Sequence, residues 1–299
     1  MPHPGFRKFD KRFTAMMLMT LGAFGLSFGG LIVRNLTGID AATINFHRSA
    51  ALIVSTLAII SVWHRGTILR QLLGIGIRGL LAGAILGCAG ITFLMALIHT
   101  TVANTVLITS STPLLSAVLA FLLLGERLSK PTIVAVAIAF AGVTIMVLDG
   151  LGTAFSFGNL MALVTATGYA IFAVALRSGR EIDMLPTVVV AGFVVAGFSF
   201  IQSGGSVQIS TQDWLLCVLW GGILSAGAHL FLIIASKQLA AAELSLFMLL
   251  EVALAPLWVW WLANEAPVQA TLIGGGFVIA GLLISLQREM RTASLPLRN

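Results

Sequence analysis

Arg48, His229, Glu243 and Glu251 are ionisable residues that fall inside long apolar stretches of this sequence. Such residues are costly at membrane depth and face protein or a water-filled cavity rather than lipid. A glutamate there can bind a substrate ammonium or carry a coupling proton. Arg48, which follows Asn45 and His47, is the natural partner for a carboxylate, through a structural ion pair or as a snorkelling side chain. Asn104, Ser111 and Thr112 add hydroxyl and amide groups in another apolar stretch, with Ile108 and Leu115 on the same helical stripe. Tyr169, the only tyrosine, and Phe247 offer π-faces for an aromatic or cationic ligand. The candidate substrate-binding set is therefore Asn104, Ser111, Thr112, Tyr169, His229, Glu243, Phe247 and Glu251. Arg48, Pro113 and Pro256 are candidates for a structural ion pair or gate. Plainer readings stand beside these: Glu243 lies where an interfacial glutamate would lie, His229 can bond a neighbouring helix, and any one phenylalanine can simply pack. The two prolines mark either hinges or static kinks.

The elements that must position these groups are apolar throughout. Hydrophobic residues make up 58% of the 299 and charged residues 9%, far too little charge to cover a soluble surface. Polar and turn residues divide the chain into ten stretches, 13–33, 41–63, 72–98, 102–124, 131–149, 157–176, 184–202, 213–236, 240–262 and 268–286. Their lengths suit spanning helices, the form that satisfies every backbone group internally. The basic N-terminus before Phe13 resembles a signal peptide, but the long apolar run without a cleavage pattern reads as a retained first span. Cys88 and Cys217 lie in apolar runs with no metal-ligand spacing, so no metal and no cofactor are expected. The basic residues form no continuous face, which argues against nucleic acid as a partner.

Orientation follows from the distribution of positive charge. With the N-terminus inside, 15 of the 17 Lys and Arg residues fall on the cytoplasmic side, Arg34 falls outside, and Arg48 lies within a span. Both termini are then cytoplasmic in a multi-pass protein of a bacterial inner membrane.

The two halves resemble each other. An offset of 139 places Glu126 on Glu265, Ala141-Gly142 on Ala280-Gly281, Gly83 on Gly222, and Asn104 and Thr112 on Glu243 and Glu251. An offset of 143 places Arg34 on Arg177 and Ile39-Asp40 on Ile182-Asp183. Five spans per copy is an odd number, so the second copy enters the membrane from the opposite side. The expected fold class is an all-α membrane protein of ten transmembrane helices, built as two inverted five-helix repeats over 1–149 and 150–299. Inverted repeats are the architecture of alternating-access carriers. The Leu-Gly-Glu-Arg-Leu at 124–128 and Ala-Phe-Ala-Gly-Val at 139–143, within this 5+5 arrangement, resemble the drug/metabolite transporter superfamily. More narrowly the chain resembles its EamA-type exporters, and within them the aromatic amino-acid exporter branch. The second copy of the motif, Ala-Asn-Glu-Ala-Pro at 263–267, keeps only the glutamate. The resemblance implies a helical basket with a central cavity that exports amino acids or cationic drugs.

Small molecules and the lipid bilayer are thus the expected partners, with the monomer as the functional unit. A sugar-phosphate or nucleotide-sugar exchanger would want several deep cations, and only Arg48 is deep. An intramembrane enzyme would show a zinc motif or a nucleophile beside a base, and neither is present. A membrane scaffold would not need the repeat. In topology mapping, green fluorescent protein fused after Asn299 should fluoresce and alkaline phosphatase fused after Asn264 should be active; inactive phosphatase there would refute this orientation.

Overall fold

A computed structural model describes residues 4–36, 39–99, 105, 108–126, 130–148, 157–263 and 269–294, and among these every regular element is helical. The helices are α1 (Pro4–Leu26), α2 (Gly29–Asn35), α3 (Ala41–Trp63), α4 (Ile68–Gly74), α5 (Gly76–His99), α6 (Thr112–Leu124), α7 (Lys130–Leu148), α8 (Phe157–Ser178) and α9 (Pro186–Gln202). They continue with α10 (Thr211–Ser236), α11 (Ala241–Ala263) and α12 (Gln269–Ser294). Among the described residues, six helical stretches are long and apolar enough to cross a membrane: Lys11–Val33, Ala41–Trp63, Gly76–Ala96, Phe157–Ser178, Thr211–Ser236 and Ala241–Leu262. Thr112–Leu124, Lys130–Gly142, Pro186–Gln202 and Leu272–Gly281 are shorter apolar helices.

Local chemistry sets the ends. Asp40 caps α3 by accepting from the Thr43 N–H at 3.2 Å, and hydrogen bonding from Thr43 holds its carboxyl below the ordinary carboxylate value. Asp183 accepts from the Leu185 N–H at 2.9 Å just before α9. Gly125 ends α6 at φ 66°, a left-handed conformation that glycine adopts without steric cost. Three departures from the expected spans have local causes. The first stretch is not one rod: it breaks at Ser27-Phe28, where the Ser27 Oγ donates to its own chain at Phe24 O. The fourth, expected over 102–124, has a turn at Ser110-Ser111, with α6 beginning only at Thr112. Pro113 consequently occupies the first turn of a helix, where a missing N–H costs nothing, instead of kinking its middle. The eighth is π-helical over Val218–Ser225. Pro256 lies inside α11, which is helical on both sides of it.

Packing joins the first half to the second throughout. Helix α7 lies along α12, α3 along α9, and α6 against α11. Helix α5 packs on α8 and α9, while α10 packs on α1 and α3. Helix α6 also meets α8, and α11 meets α1. Small residues allow these approaches. A Cβ added to Gly142 would stand 2.5 Å from the Gly274 carbonyl oxygen, and one added to Gly281 would stand 2.7 Å from that of Ala135. At the 139 offset Gly142 corresponds to Gly281 and Ala135 to Gly274, so the two contacts are reciprocal. Apolar cores flank the centre: Met16, Met19, Leu244 and Phe247 in one, Ile60, Phe172, Leu185 and Val188 in the other.

Gly142→Ala should lower the melting temperature in detergent, because backbone must move at a cost of about 1–3 kcal/mol. Gly197→Ala, with open space around the new methyl, should be neutral or slightly stabilising. Equal effects at the two sites would show that the α7–α12 contact is loose.

Candidate functional site

Arg48 is the centre of charge inside the bundle. It sits on α3 between the buried Asn45 and Ser49, deep among protein atoms, yet keeps part of its surface accessible. Its backbone carbonyl faces Gly221, where a Cβ would collide with it. Its guanidinium carbon lies 4.4 Å from the centroid of the Trp220 ring, a cation–π contact. Trp220 and Gly221 both belong to the π-helical turn of α10.

Around Arg48 the fold gathers Tyr169 from α8, His229 from α10 and Glu251 from α11, each within its electrostatic reach. All three are deep in the bundle and partly accessible. No carboxylate among the described residues forms an ion pair with Arg48, and its guanidinium makes no hydrogen bond to them. Among the described residues the ion-pair reading of Arg48 is therefore replaced by an unneutralised guanidinium over an indole ring, with Glu251 nearby. His229 donates from Nδ1 to the Ser225 carbonyl at 2.7 Å, which leaves Nε2 as the lone-pair nitrogen of the neutral ring.

The remaining candidates lie elsewhere. Glu243 is buried and bound: Oε1 accepts from Arg12 Nη2 at 2.7 Å, and Oε2 accepts from the Ala240 N–H at 3.0 Å. It ties α1 to the start of α11. Phe247 is fully buried within the apolar core. Ser111 and Thr112 turn their hydroxyls onto the backbone, donating to Ile108 O and Thr109 O at 2.6 Å each. Thr112 is buried against α8, with the Ala166 carbonyl at 3.5 Å. Asn104 is outside the described residues.

One end of the bundle is closed by charge. Besides Arg12–Glu243, Arg177 Nε donates to Glu126 Oε1 at 2.6 Å, and its Nη1 reaches the carbonyls of Ser236 and Lys237 at 3.3 Å. His64 Nε2 lies 2.7 Å from Asp183 Oδ2, joining α3 to α9. That pair borders a cleft of about 150 Å³ shared with Trp63, Leu185, Ile233 and Lys237. At the other end Phe28, from the break in the first span, stacks on Trp258 with centroids 4.7 Å apart. Trp258 Nε1 also donates to Ser27 Oγ at 2.7 Å. A wider, shallow depression lined by Leu257, Trp258, Trp260 and Trp261 lies at that end, away from Arg48.

Sequence reasoning missed four of these features: Trp220, the Arg12–Glu243 tie, the Glu126–Arg177 pair and the His64–Asp183 pair. Signals existed for some. Glu126, Arg177 and Asp183 all appear in the repeat alignment, and Trp220 stands directly before Gly221-Gly222.

Comparison with known proteins bears on the first half of the chain. Residues 13–148 match the model of the EamA-like transporter family. No curated protein matches the chain. One solved structure, described only as a crystal structure of a protein, aligns with TM-score 0.76 at 21% identity. The alignment covers 94% of this chain and 99% of that one, a likeness of fold.

A double-mutant cycle on Arg12→Ala and Glu243→Ala should give a coupling of about 1–3 kcal/mol in thermal or denaturant unfolding. Additive losses would mean that the pair does not hold α1 to α11.

Proposed function

We propose that the protein is an alternating-access carrier of a bacterial inner membrane that exports amino acids, aromatic ones preferred, with related small amphipathic or cationic metabolites and drugs. The observation that carries this reading is the pairing of opposite charges without an ion pair: Arg48 and Glu251 share one electrostatic neighbourhood, and neither neutralises the other. A zwitterion supplies the missing partners, its carboxylate to Arg48 and its ammonium to Glu251. Tyr169 provides an aromatic wall beside both charges.

Ten spans in two inverted repeats, 1–149 and 150–299, suit this role. The inter-helix contacts support that architecture, because they pair off under exchange of the halves: α5–α8 with α10–α1, α5–α9 with α10–α3, and α6–α8 with α11–α1. The reciprocal Gly142 and Gly281 contacts agree, as does a family match that stops within the first half. Both termini are placed in the cytoplasm by the positive charge. The end closed by Arg12–Glu243, Glu126–Arg177 and His64–Asp183 is then the cytoplasmic one, so the site belongs to an outward-directed state. Those pairs must open for loading from inside, and their re-formation commits the substrate to the outer face. The carrier acts as a monomer, since each half supplies part of the site: Arg48 from the first, Tyr169, His229 and Glu251 from the second.

A sugar-phosphate or nucleotide-sugar exchanger is less well served. One guanidinium beside a carboxylate suits a singly charged carboxylate better than a phosphate, which calls for several cations.

Uptake into proteoliposomes should occur with aromatic amino acids and organic cations, and not with sugar phosphates; the converse pattern would sink the substrate assignment. In the same assay Glu251→Gln should slow amino-acid transport roughly 10-fold or more, as expected for loss of a buried charged partner. Glu126→Gln should have a smaller effect, and equal losses would remove Glu251 from the site.

A further inference from the structure

We propose that Trp220 is a specificity-determining residue of the central site: its ring packs against the Arg48 guanidinium and so holds that cation with its N–H groups available to a planar carboxylate. This rests on the amino-acid reading above and assigns a residue to its carboxylate half.

A guanidinium is planar and all five of its N–H bonds lie in that plane. Its faces stack, while its edge donates in the forked geometry that matches a carboxylate. The Arg48 guanidinium carbon stands over the Trp220 ring, 4.4 Å from its centroid, and no described residue takes up the N–H groups. The contact also offsets part of the cost of keeping an unneutralised cation inside the bundle.

The backbone around Trp220 is built to hold this arrangement. The Val218–Ser225 turn is π-helical, a local widening that is frequent at functional sites and changes the direction of the residues it carries. Gly221 admits the Arg48 carbonyl, and Gly222 admits Ser55, whose Oγ would be 2.9 Å from an added Cβ. One turn of α10 thus meets both the backbone of Arg48 and its side chain. On the far side of the indole, a Cβ on Gly29 would stand 3.0 Å from Trp220 Nε1, so the break in the first span abuts the ring. The neighbouring Phe24, Phe28 and Trp258 form a separate aromatic group among themselves.

Internal symmetry distinguishes this pair from scaffold. Gly83 and Gly222, and Gly142 and Gly281, keep their residue type in both halves. Arg48 corresponds to Ala191 at the 143 offset, and Trp220 to Leu81 at the 139 offset. Ala191 is buried and Leu81 is exposed, so the equivalent position in the other half has neither charge nor ring at the centre. A tryptophan needed only for packing would not require a cation beside it.

The test measures uptake of L-phenylalanine by proteoliposomes, with phenethylamine, the same molecule lacking the carboxylate, as competing ligand. Trp220→Leu should raise KM for L-phenylalanine about 5- to 10-fold, the scale of a partly desolvated cation–π contact. Vmax should change less than about two-fold and the inhibition constant of phenethylamine should stay at its wild-type value, because the affected step is carboxylate recognition. Trp220→Phe, which keeps a π-face, should restore most of the affinity. An unchanged KM in Trp220→Leu, or a parallel weakening of phenethylamine, would overturn the proposal. Should Trp220→Leu elute aggregated, Arg48→Lys takes its place: a lysine keeps the charge but has no planar edge, so a wild-type KM there refutes the carboxylate clamp. Wild-type protein that transports neither compound removes the substrate reading and the role of Trp220 with it; wild-type transport with unaltered variants removes the role of Trp220 alone.

Discussion

A guanidinium inside an apolar helix bundle is tolerated only while something replaces the water it has lost. Among the described residues no carboxylate pairs with Arg48, and the replacement is divided between a tryptophan ring, the field of the nearby Glu251 and whatever occupies the accessible space beside them. That constraint explains the least regular helix in the molecule. Helix α10 departs from α-helical geometry where it meets Arg48, and it places a bulky ring and two glycines in succession there. The ring meets the Arg48 side chain, Gly221 meets its backbone carbonyl, and Gly222 meets Ser55 and Ala51 farther along α3. A regular helix with larger residues would hold α3 farther away and leave the cation without its π-face.

Around this centre the scaffold is balanced between the halves. Glycine-on-carbonyl contacts join α7 to α12 from both sides, and small residues let α5 and α10 approach their partners. Such contacts derive their stability from close van der Waals packing, since lipid offers no hydrophobic drive between helices. For the alternating-access carrier proposed above, they are also the surfaces on which one half would rock against the other. The polar groups do not follow this balance. Arg48 comes from the first half and Tyr169, His229 and Glu251 from the second, so an even scaffold encloses a lopsided, dipolar site.

The three charge contacts at one end act on a different level. Arg12–Glu243, Glu126–Arg177 and His64–Asp183 each join helices distant in sequence, and each is partly accessible to water. Partly exposed pairs are individually modest. Contacts of modest strength hold that end less firmly than deeply buried pairs would. At the opposite end Phe28, Trp258 and Ser27 tie the broken first span to α11 through stacking and one hydrogen bond.

The sequence by itself determined the class of the molecule, because composition and apolar run length report directly on the solvent a chain must face. The start and end of α3 agree with the expected 41–63, since Asp40 and the residues after Trp63 punctuate it chemically. The Glu126, Gly142 and Asp183 alignments marked positions that the fold uses as a helix tie, a helix contact and the turn that precedes α9. What the sequence did not determine was which polar group meets which. Glu243 and Glu251 lie eight residues apart on one helix, yet the first is bound by Arg12 and the second is open to the charge of Arg48. Phe247 between them is sealed in the core. Pro113 was legible as a helix disturbance, but only the turn at Ser110-Ser111 made it the beginning of a helix. Trp220 lies in an apolar run, and its place beside Arg48 was not legible there. These outcomes depend on helix rotation and on contacts between segments more than a hundred residues apart, and hydrophobic periodicity records one face of one helix at a time. Burial in lipid is local to a segment and can be read from it, whereas partnership between charges is a property of the assembled bundle.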